Sequence, residues 1–351
     1  MNSVKIGTYN PELYNELIDF NQNKFKREDT EKYFDFRFIN HPWIHQLKTA
    51  AALAFEDEKI IGQQCYVPLK FRYKGRTENG VWGMNLMLDE KARGKGVGKR
   101  LVEENQKVPN YFVFGVTNHA RELHEKFGFY IFDSFIRLFY LPNIYQLIKL
   151  FFKTKKIINI NFPEKIKTEK QSFIKQNAVP DINKSCWNED VVEFIRDQNY
   201  IKWRFFSAYN NFSFYLSEDK NNPIYFVLKT LTWKNHVFLC LVDMRVERND
   251  KNAIMAIINA CKKVLKFTGA KGILAGSSLK EYLNSFYKSG FFDFEPPSIL
   301  LTNAPFAQNY PEFKHEGINV NMVDSDFESV YLLKGNVHKR ILKGFIKRIL
   351  K

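Results

Sequence analysis

Two segments of the chain repeat each other, and the repeat limits how everything between them can fold. Lys32 to Pro42 reads KYFDFRFINHP, and Asn199 to Asn210 reads NYIKWRFFSAYN. Tyr33 matches Tyr200, Phe36 matches Trp203, Arg37 matches Arg204 and Phe38 matches Phe205. Strand-like runs follow in both halves: AALAF, IIGQQCYVPLKFRYKG and VWGMNLML in the first, then FSFYLS, PIYFVLKTLTWK and HVFLCLVDMRV in the second. Each half goes on through a helix-like stretch, a short strand and a second helix to a Gly-Phe turn. Those turns are EKFGFYIF (Glu125–Phe132) and YKSGFFDF (Tyr287–Phe294). Self-similarity in a fixed order is the mark of a duplicated unit. The expected fold class is α/β (α+β): two tandem domains, each a mixed, mostly antiparallel sheet flanked by helices. Residues 1–145 form the first domain, 146–185 a basic connector and 186–351 the second, a division that 351 residues accommodate.

Most of the formal net charge of +15 sits in two places. Residues 141–185 carry nine Lys against Glu164, Glu169 and Asp181, and residues 331–351 carry seven Lys or Arg and no acid. Both segments space apolar residues as helices do: Ile144, Leu147, Ile148 and Phe151 in one, Val337, Ile341, Phe345 and Leu350 in the other. Such a helix either packs on its own domain or lies on an anionic membrane surface. No helix-turn-helix, zinc or RNA-binding motif accompanies the charge, so no nucleic-acid partner is expected. Cys65, Cys186, Cys240 and Cys261 stand singly, without metal-ligand spacing, and no metal is expected. No apolar run reaches membrane-spanning length and no signal peptide is visible, so the expectation is a cytoplasmic monomer or homodimer without membrane insertion.

The halves differ at one turn. After VWGMNLML the first half reads DEKARGKGVGKRLVEEN, with Gly94, Gly96 and Gly98 opening a helix. The matching stretch VERNDKNAIMAIINACKKVL has no glycine before its helix. A strand, a glycine turn and a helix N-terminus gather backbone N–H groups and the positive end of the helix dipole, which suits a phosphate. Arg93, Lys95, Lys99 and Arg100 add cations around it. A Walker loop is excluded because GxxxxGK[ST] is missing. A dinucleotide fingerprint is disfavoured because the turn follows several strands and does not open a βαβ unit.

The segment LMLDEKARGKGVGKRLVEE resembles motif A of the GNAT superfamily of acyl-CoA-dependent N-acyltransferases, [R/Q]-x-x-G-x-[G/A], with Arg93, Gly96 and Gly98 in its positions. Downstream, TNHARELHEKFGFYIFDSF resembles motif B through Asn118, Ala120 and Phe127-Gly128-Phe129. The full pattern covers about Val4 to Tyr140, and the second half, about Cys186 to Leu332, resembles the same fold without the acyl-CoA turn. The resemblance implies coenzyme A as the cofactor, delivered as acetyl-CoA or 3-hydroxybutanoyl-CoA. Its diphosphate would lie on Gly94, Lys95, Gly96, Val97, Gly98 and Lys99, its arm along Leu86, Met87 and Leu88, and Asn118 would help to hold it.

The resemblance also places His124 where many relatives have a proton-donating Tyr, so His124 is the leading acid–base candidate; its alternative is packing within the helix. Asn85 stands where some relatives carry an acid, and its counterpart in the second half is Asp243. Asp35, His41 and His45 are further candidates for the base. Tyr33, Arg37, Trp203, Arg204, Tyr200 and Asp243 are candidate acceptor contacts, with shared packing as the other reading of the repeated Arg37 and Arg204. Tandem chains of this kind resemble sugar N-acyltransferases of bacterial surface-polysaccharide pathways, such as lipopolysaccharide O-antigen synthesis. The implied acceptor is therefore a nucleotide-linked amino sugar, such as a dTDP-3-amino-3,6-dideoxyhexose. The rivals are a Fem-type aminoacyl-tRNA-dependent transferase and a non-catalytic membrane-surface adaptor.

Overall fold

The computed structural model describes residues 4–25, 29–116, 118–150, 160–207, 209, 211–312, 317–325 and 337–349. The chain divides into two compact units, neither continuous in sequence: unit 1 takes residues 1–133 and 299–316, and unit 2 takes 134–298 and 317–351.

In chain order, unit 1 begins with β1 (Lys5–Thr8), α1 (Tyr14–Phe25) and α2 (Thr30–Phe34). It continues with β2 (Ala51–Glu56), β3 (Lys59–Tyr73), β4 (Arg76–Leu88), α3 (Val97–Asn105), β5 (Tyr111–Phe114) and α4 (Asn118–Lys126). The unit boundary falls inside β6 (Tyr130–Tyr140). Unit 2 then adds α5 (Ile144–Lys149), β7 (Lys165–Lys167), β8 (Ser172–Gln176), β9 (Val192–Phe194), α6 (Gln198–Phe205), β10 (Ser213–Ser217), β11 (Tyr225–Trp233) and β12 (His236–Arg245). After these come α7 (Lys251–Thr268), β13 (Ile273–Ser277), α8 (Lys280–Lys288) and β14 (Phe292–Asp293). Strand β15 (Ser298–Thr302) and α9 (Ala304–Asn309) return to unit 1, and β16 (Ile318–Asn319) and α10 (Val337–Ile349) close unit 2.

The sheet of unit 1 runs β1-β2-β3-β4-β5-β15. Its first four strands are antiparallel neighbours, β4 and β5 are parallel, and β15 lies antiparallel to β5. The second half of the chain thus supplies unit 1 with a strand. Asn303 fixes that strand by donating to the carbonyl of Asn105 at 3.0 Å, and Thr302 donates to that of Tyr111 at 2.9 Å. Unit 2 runs β6-β13-β12-β11-β10-β8-β7, with the Ile136–Tyr140 stretch of β6 antiparallel to β13. Residues 146–185, expected as a connector, supply β7 and β8 to this sheet. The architecture is the mixed α/β class expected from the sequence, with helices on mixed sheets.

Packing follows the periodicities. On α7, Ile254, Ile257, Ile258, Cys261, Val264 and Leu265 recur at helical spacing and all are buried against the unit 2 sheet. Burial of each aliphatic side chain among them contributes about 1.5–3 kcal/mol. On α3, Val97, Leu101 and Val102 face the unit 1 core with Tyr66, Val81 and Tyr111. The apolar stripe of α10 is used in the same way. Val337 and Ile341 are fully buried, Phe345 packs edge-on to Phe292, and Gly344 lies close against Asp293. Leu350 and Phe151 lie outside the described residues, as do the side chains of Ile144 and Leu147; Ile148 is exposed. Among the described residues no helix is long and apolar enough to cross a membrane.

Candidate functional site

The site is built at the end of β4. The parallel ladder with β5 consists of Val81↔Tyr111 and Trp82↔Phe112, whereas β4 continues to Leu88 paired with β3 alone. Beyond Trp82 one edge of β4 therefore has no ladder partner among the described residues, and Met84 to Leu88 are half-buried. The β3 ladder is interrupted here too. It runs Gly62↔Leu88 and Gln63↔Met87, then resumes at Cys65↔Met84, so Asn85 and Leu86 bulge out of register. Asn85 has a φ of 53°, the left-handed region that Asn enters more readily than most residues.

The chain then turns through Asp89, whose carboxylate accepts from the Lys91 N–H at 3.0 Å, and reaches the glycines. Gly94 and Gly96 have φ of 78° and 75°. A Cβ at either would meet nothing within 4 Å among the described residues, so the turn borders open space there. Gly96 opens α3 with no side-chain cap, which leaves the first N–H groups of the helix facing outward. Lys95 pairs with Glu56 at 3.0 Å, Lys99 lies over the Phe127 ring, Arg100 donates to the Val4 carbonyl, and Arg93 is exposed.

Unit 2 has the same skeleton with opposite chemistry at this point. β12 and β13 pair in parallel at Leu239↔Ile273 and Cys240↔Leu274, and β12 bulges at Val242. Counting from these ladders, Asp243 occupies the position of Asn85. Helix α7, the counterpart of α3, starts at Asp250, whose carboxylate accepts from the Ala253 N–H at 2.9 Å. The anion place at the helix N-terminus is thus filled by the chain itself in unit 2 and open in unit 1.

His124 sits in α4, 1% exposed. Its Nδ1 lies 2.6 Å from the Ala120 carbonyl, which can only accept, so Nδ1 carries the proton. Nε2 is buried without a hydrogen-bond partner among the described residues. The ring packs edge-on to Phe129, centroids 4.8 Å apart, and the repeat gives the same arrangement in Phe286 and Phe291 at 4.9 Å. Both pairs close the same helix end, with Phe129 N–H bonded to His124 O and Phe291 N–H bonded to Phe286 O. Burial pushes the His124 pKa down, outweighing the bond to Ala120 that would raise it. The unfolded chain therefore takes up a proton first as pH drops below the ordinary value of about 6.5, and stability is lost from there down through the lower folded value. His124→Phe is expected to remove this loss. Melting curves of the two proteins should diverge between about pH 7 and pH 5, whereas parallel curves would show an imidazole that charges freely in the fold.

The remaining candidates are spread over both units. Arg37 is buried near the Phe36 ring, and Arg204 is buried near the rings of Trp203 and Phe212. Tyr33 is half-buried, edge-on to Phe38, and Tyr200 and Trp203 are buried edge-on to each other. Asp35 accepts from the Tyr14 hydroxyl at 2.7 Å, the His41 ring accepts from the Trp43 N–H at 3.2 Å, and His45 is exposed. Asp243 is fully buried between Arg196 at 3.1 Å and Arg245 at 3.3 Å, and it accepts from the Tyr225 hydroxyl at 3.0 Å. The Asn118 side chain lies outside the described residues. A cavity of about 610 Å³ opens beside Leu47, Ala52, Val81 and Val108 at the C-terminal end of α3, the opposite end from the glycines. No group of side chains able to hold a metal ion occurs among the described residues.

Residues 48–131 match the family model of the acetyltransferase (GNAT) domain. By structure the chain is similar to a GCN5-related N-acetyltransferase from Anabaena variabilis, with a TM-score of 0.56 and 12% identity, over 86% of this chain and 72% of that one. It is similar to a conserved protein of unknown function from Enterococcus faecalis, a probable N-acyltransferase, with a TM-score of 0.55 and 11% identity, over 88% and 75% of the chains. It is also similar to Saccharomyces cerevisiae N-myristoyltransferase with bound myristoyl-CoA, with a TM-score of 0.53 and 11% identity, over 86% and 83%. No curated protein matches the sequence.

Proposed function

We propose that the chain, whose residues 48–131 match the acetyltransferase (GNAT) domain, is a GNAT-type N-acyltransferase that takes its acyl group from coenzyme A at the Gly94–Gly98 turn. We further propose that the acceptor is the amine of a nucleotide-linked amino sugar, with acetyl or 3-hydroxybutanoyl as the group transferred. The observation that carries the donor reading is the uncapped α3 N-terminus behind two left-handed glycines, beside a strand whose edge has no ladder partner among the described residues. The residues fit a diphosphate. Open space at Gly94 and Gly96 admits it, and the N–H groups of Val97, Gly98 and Lys99 offer it donors at the positive end of the helix. The edge of Leu86 to Leu88 offers backbone groups to the amides of a pantetheine arm.

Bound there, coenzyme A would supply an activated thioester. The protein's part is to bind, orient and polarise. His124 is assigned to packing: its protonated nitrogen is held by Ala120, and in the second half its place is taken by Phe286. Arg37 and Arg204 are assigned to the packing of the repeated helices. The acceptor reading is supported by the tandem organisation and by the positive charge of the chain, which favours approach of a nucleotide diphosphate. A Fem-type transferase would not need the intact glycine turn.

Calorimetry of the purified protein with coenzyme A tests the donor, and release of free thiol tests the acceptor. The assay sets acetyl-, 3-hydroxybutanoyl- and myristoyl-CoA against dTDP-amino sugars. Saturable binding with thiol release on a dTDP-3-amino sugar is the expected result. Absent binding would remove the donor reading, and release on other amines alone would remove the sugar.

A further inference from the structure

Two consecutive glutamines stand in the middle of the apolar strand β3, and both are buried: Gln63 is 0% exposed and Gln64 1%. Buried amides are costly unless every polar atom finds a partner, and here the partners lead to the bulge. Gln63 Nε2 donates to the Asn85 carbonyl at 3.3 Å and to Asn21 Oδ1 at 2.9 Å. Asn21 Nδ2 donates back to Gln63 Oε1 at 2.8 Å, and also to the Leu17 carbonyl within α1 at 2.8 Å. Gln64 Nε2 donates to the Met84 carbonyl at 2.9 Å and to that of Cys65 at 3.1 Å. The bulge takes Asn85 out of the β3 ladder, and side-chain amides supply donors to carbonyls there.

A trans peptide points its N–H opposite to its carbonyl. Holding the Met84 and Asn85 carbonyls toward the two glutamines therefore turns the N–H groups of Asn85 and Leu86 away from them. Successive N–H groups of a regular strand face opposite edges. The left-handed φ of Asn85 breaks that alternation and puts two on one side, the arrangement that makes a backbone anion nest. β3 occupies one side of β4, and the other side is the one β5 has left.

We infer that Gln63, Gln64 and Asn21 are positioning residues that aim the Asn85 and Leu86 N–H groups at the carbonyl oxygen of the acyl group to be transferred. The inference rests on the acyl-CoA reading above. The test uses carbonyl-¹³C acetyl-CoA bound to the full chain, with affinity read by calorimetry and the carbonyl stretch by difference infrared spectroscopy, so no acceptor is needed. Wild type should show a carbonyl band displaced to lower frequency. In Asn21→Leu/Gln63→Leu, which replaces both partners of the amide pair by apolar groups and so spares stability, the Leu86 N–H is released and the displacement should shrink, while affinity stays within about threefold. Turnover, once an acceptor is in hand, should fall roughly 100- to 1000-fold, the usual cost of losing an oxyanion donor, with KM for the donor little changed. A band displaced as far in the variant as in wild type, or affinity lost along with the displacement, would overturn the positioning role. Wild type that binds no acetyl-CoA overturns the donor reading and this inference with it. If the double variant does not fold, Gln64→Met is read by the same two measurements.

Discussion

Gly96→Asp is expected to abolish coenzyme A binding in a protein that still folds. The substitution copies the chemistry of unit 2, where the Asp250 carboxylate accepts from the start of α7. Gly96 holds a φ of 75°, a conformation Asp and Asn tolerate better than other residues with a Cβ. Among the described residues nothing lies within 4 Å of the Cβ to be added, so the strain amounts to about 1–2 kcal/mol. The charge does the damage. A carboxylate about 5 Å from a phosphate charge is repelled by about 3 kcal/mol at an effective dielectric constant near 20. That repulsion alone is worth a factor of roughly 100 in affinity, and the side chain also competes for the same N–H groups. Gly96→Asn carries the bulk without the charge and should keep measurable binding. Calorimetry with coenzyme A on the three proteins reads this order. Equal affinity in wild type and Gly96→Asp would take the turn out of the binding site.

The duplication was legible because it is written in large side chains. Tyr33, Phe36, Arg37 and Phe38 pair with Tyr200, Trp203, Arg204 and Phe205, and most of them are buried, where a change of shape is felt. The glycine turn was legible for the opposite reason: a left-handed backbone is a demand few residues meet. The return of β15 to unit 1 was not legible. Ile-Leu-Leu-Thr reads as a buried strand in any sheet, and its partner is chosen by long-range contacts such as Asn303 to Asn105. The connector hid β7 and β8 for a similar reason, since lysines alternating with apolar residues can belong to a sheet edge or to a solvated linker.

His124 shows a motif position at which the sequence leaves two roles open. Its place in the helix fits acid–base chemistry or packing, and the geometry of the second half, with Phe286 against Phe291, supports our assignment to packing. Gln63 and Gln64 carry a signal of a different kind. Two adjacent amides inside IIGQQCYVPLKF break the apolar run, and a buried amide implies something that must be held.

The larger loss of stability is expected from Arg245→Met. Arg245 is fully buried, hydrogen-bonded to Glu193 at 2.9 Å and ion-paired with Asp243 at 3.3 Å. Arg196 joins Asp243 at 3.1 Å and also contacts Asp324, so two cations serve three buried carboxylates. Burial opposes ionisation of Asp243, but Arg196 and Arg245 outweigh it and hold its pKa down; Glu193 is held down against burial by Arg245 and its hydrogen-bond donors. Asp324, desolvated and close to Asp243, is pushed up. Removing Asp243 by Asp243→Asn leaves two carboxylates for two arginines and frees Asp324 to ionise, so the cost should be modest. Removing Arg245 leaves buried charge without compensation, at a cost of about 3–5 kcal/mol, or a fall on the order of 10 °C in Tm. The pH response separates the two states of the network. With depressed values, Glu193 and Asp243 contribute stability above about pH 4 that wild type loses as pH falls through their folded values. In Arg245→Met the stranded carboxylates rise above the unfolded value, so the variant should regain stability on acidification from about pH 7 toward pH 5. Over that interval wild type loses the His124 contribution and gains from protonation of the raised Asp324, and the variant is read against that baseline. A variant melting with wild type would show that the network carries no net stability. A loss of turnover in Asp243→Asn at unchanged Tm and donor affinity would instead return Asp243 to the chemistry.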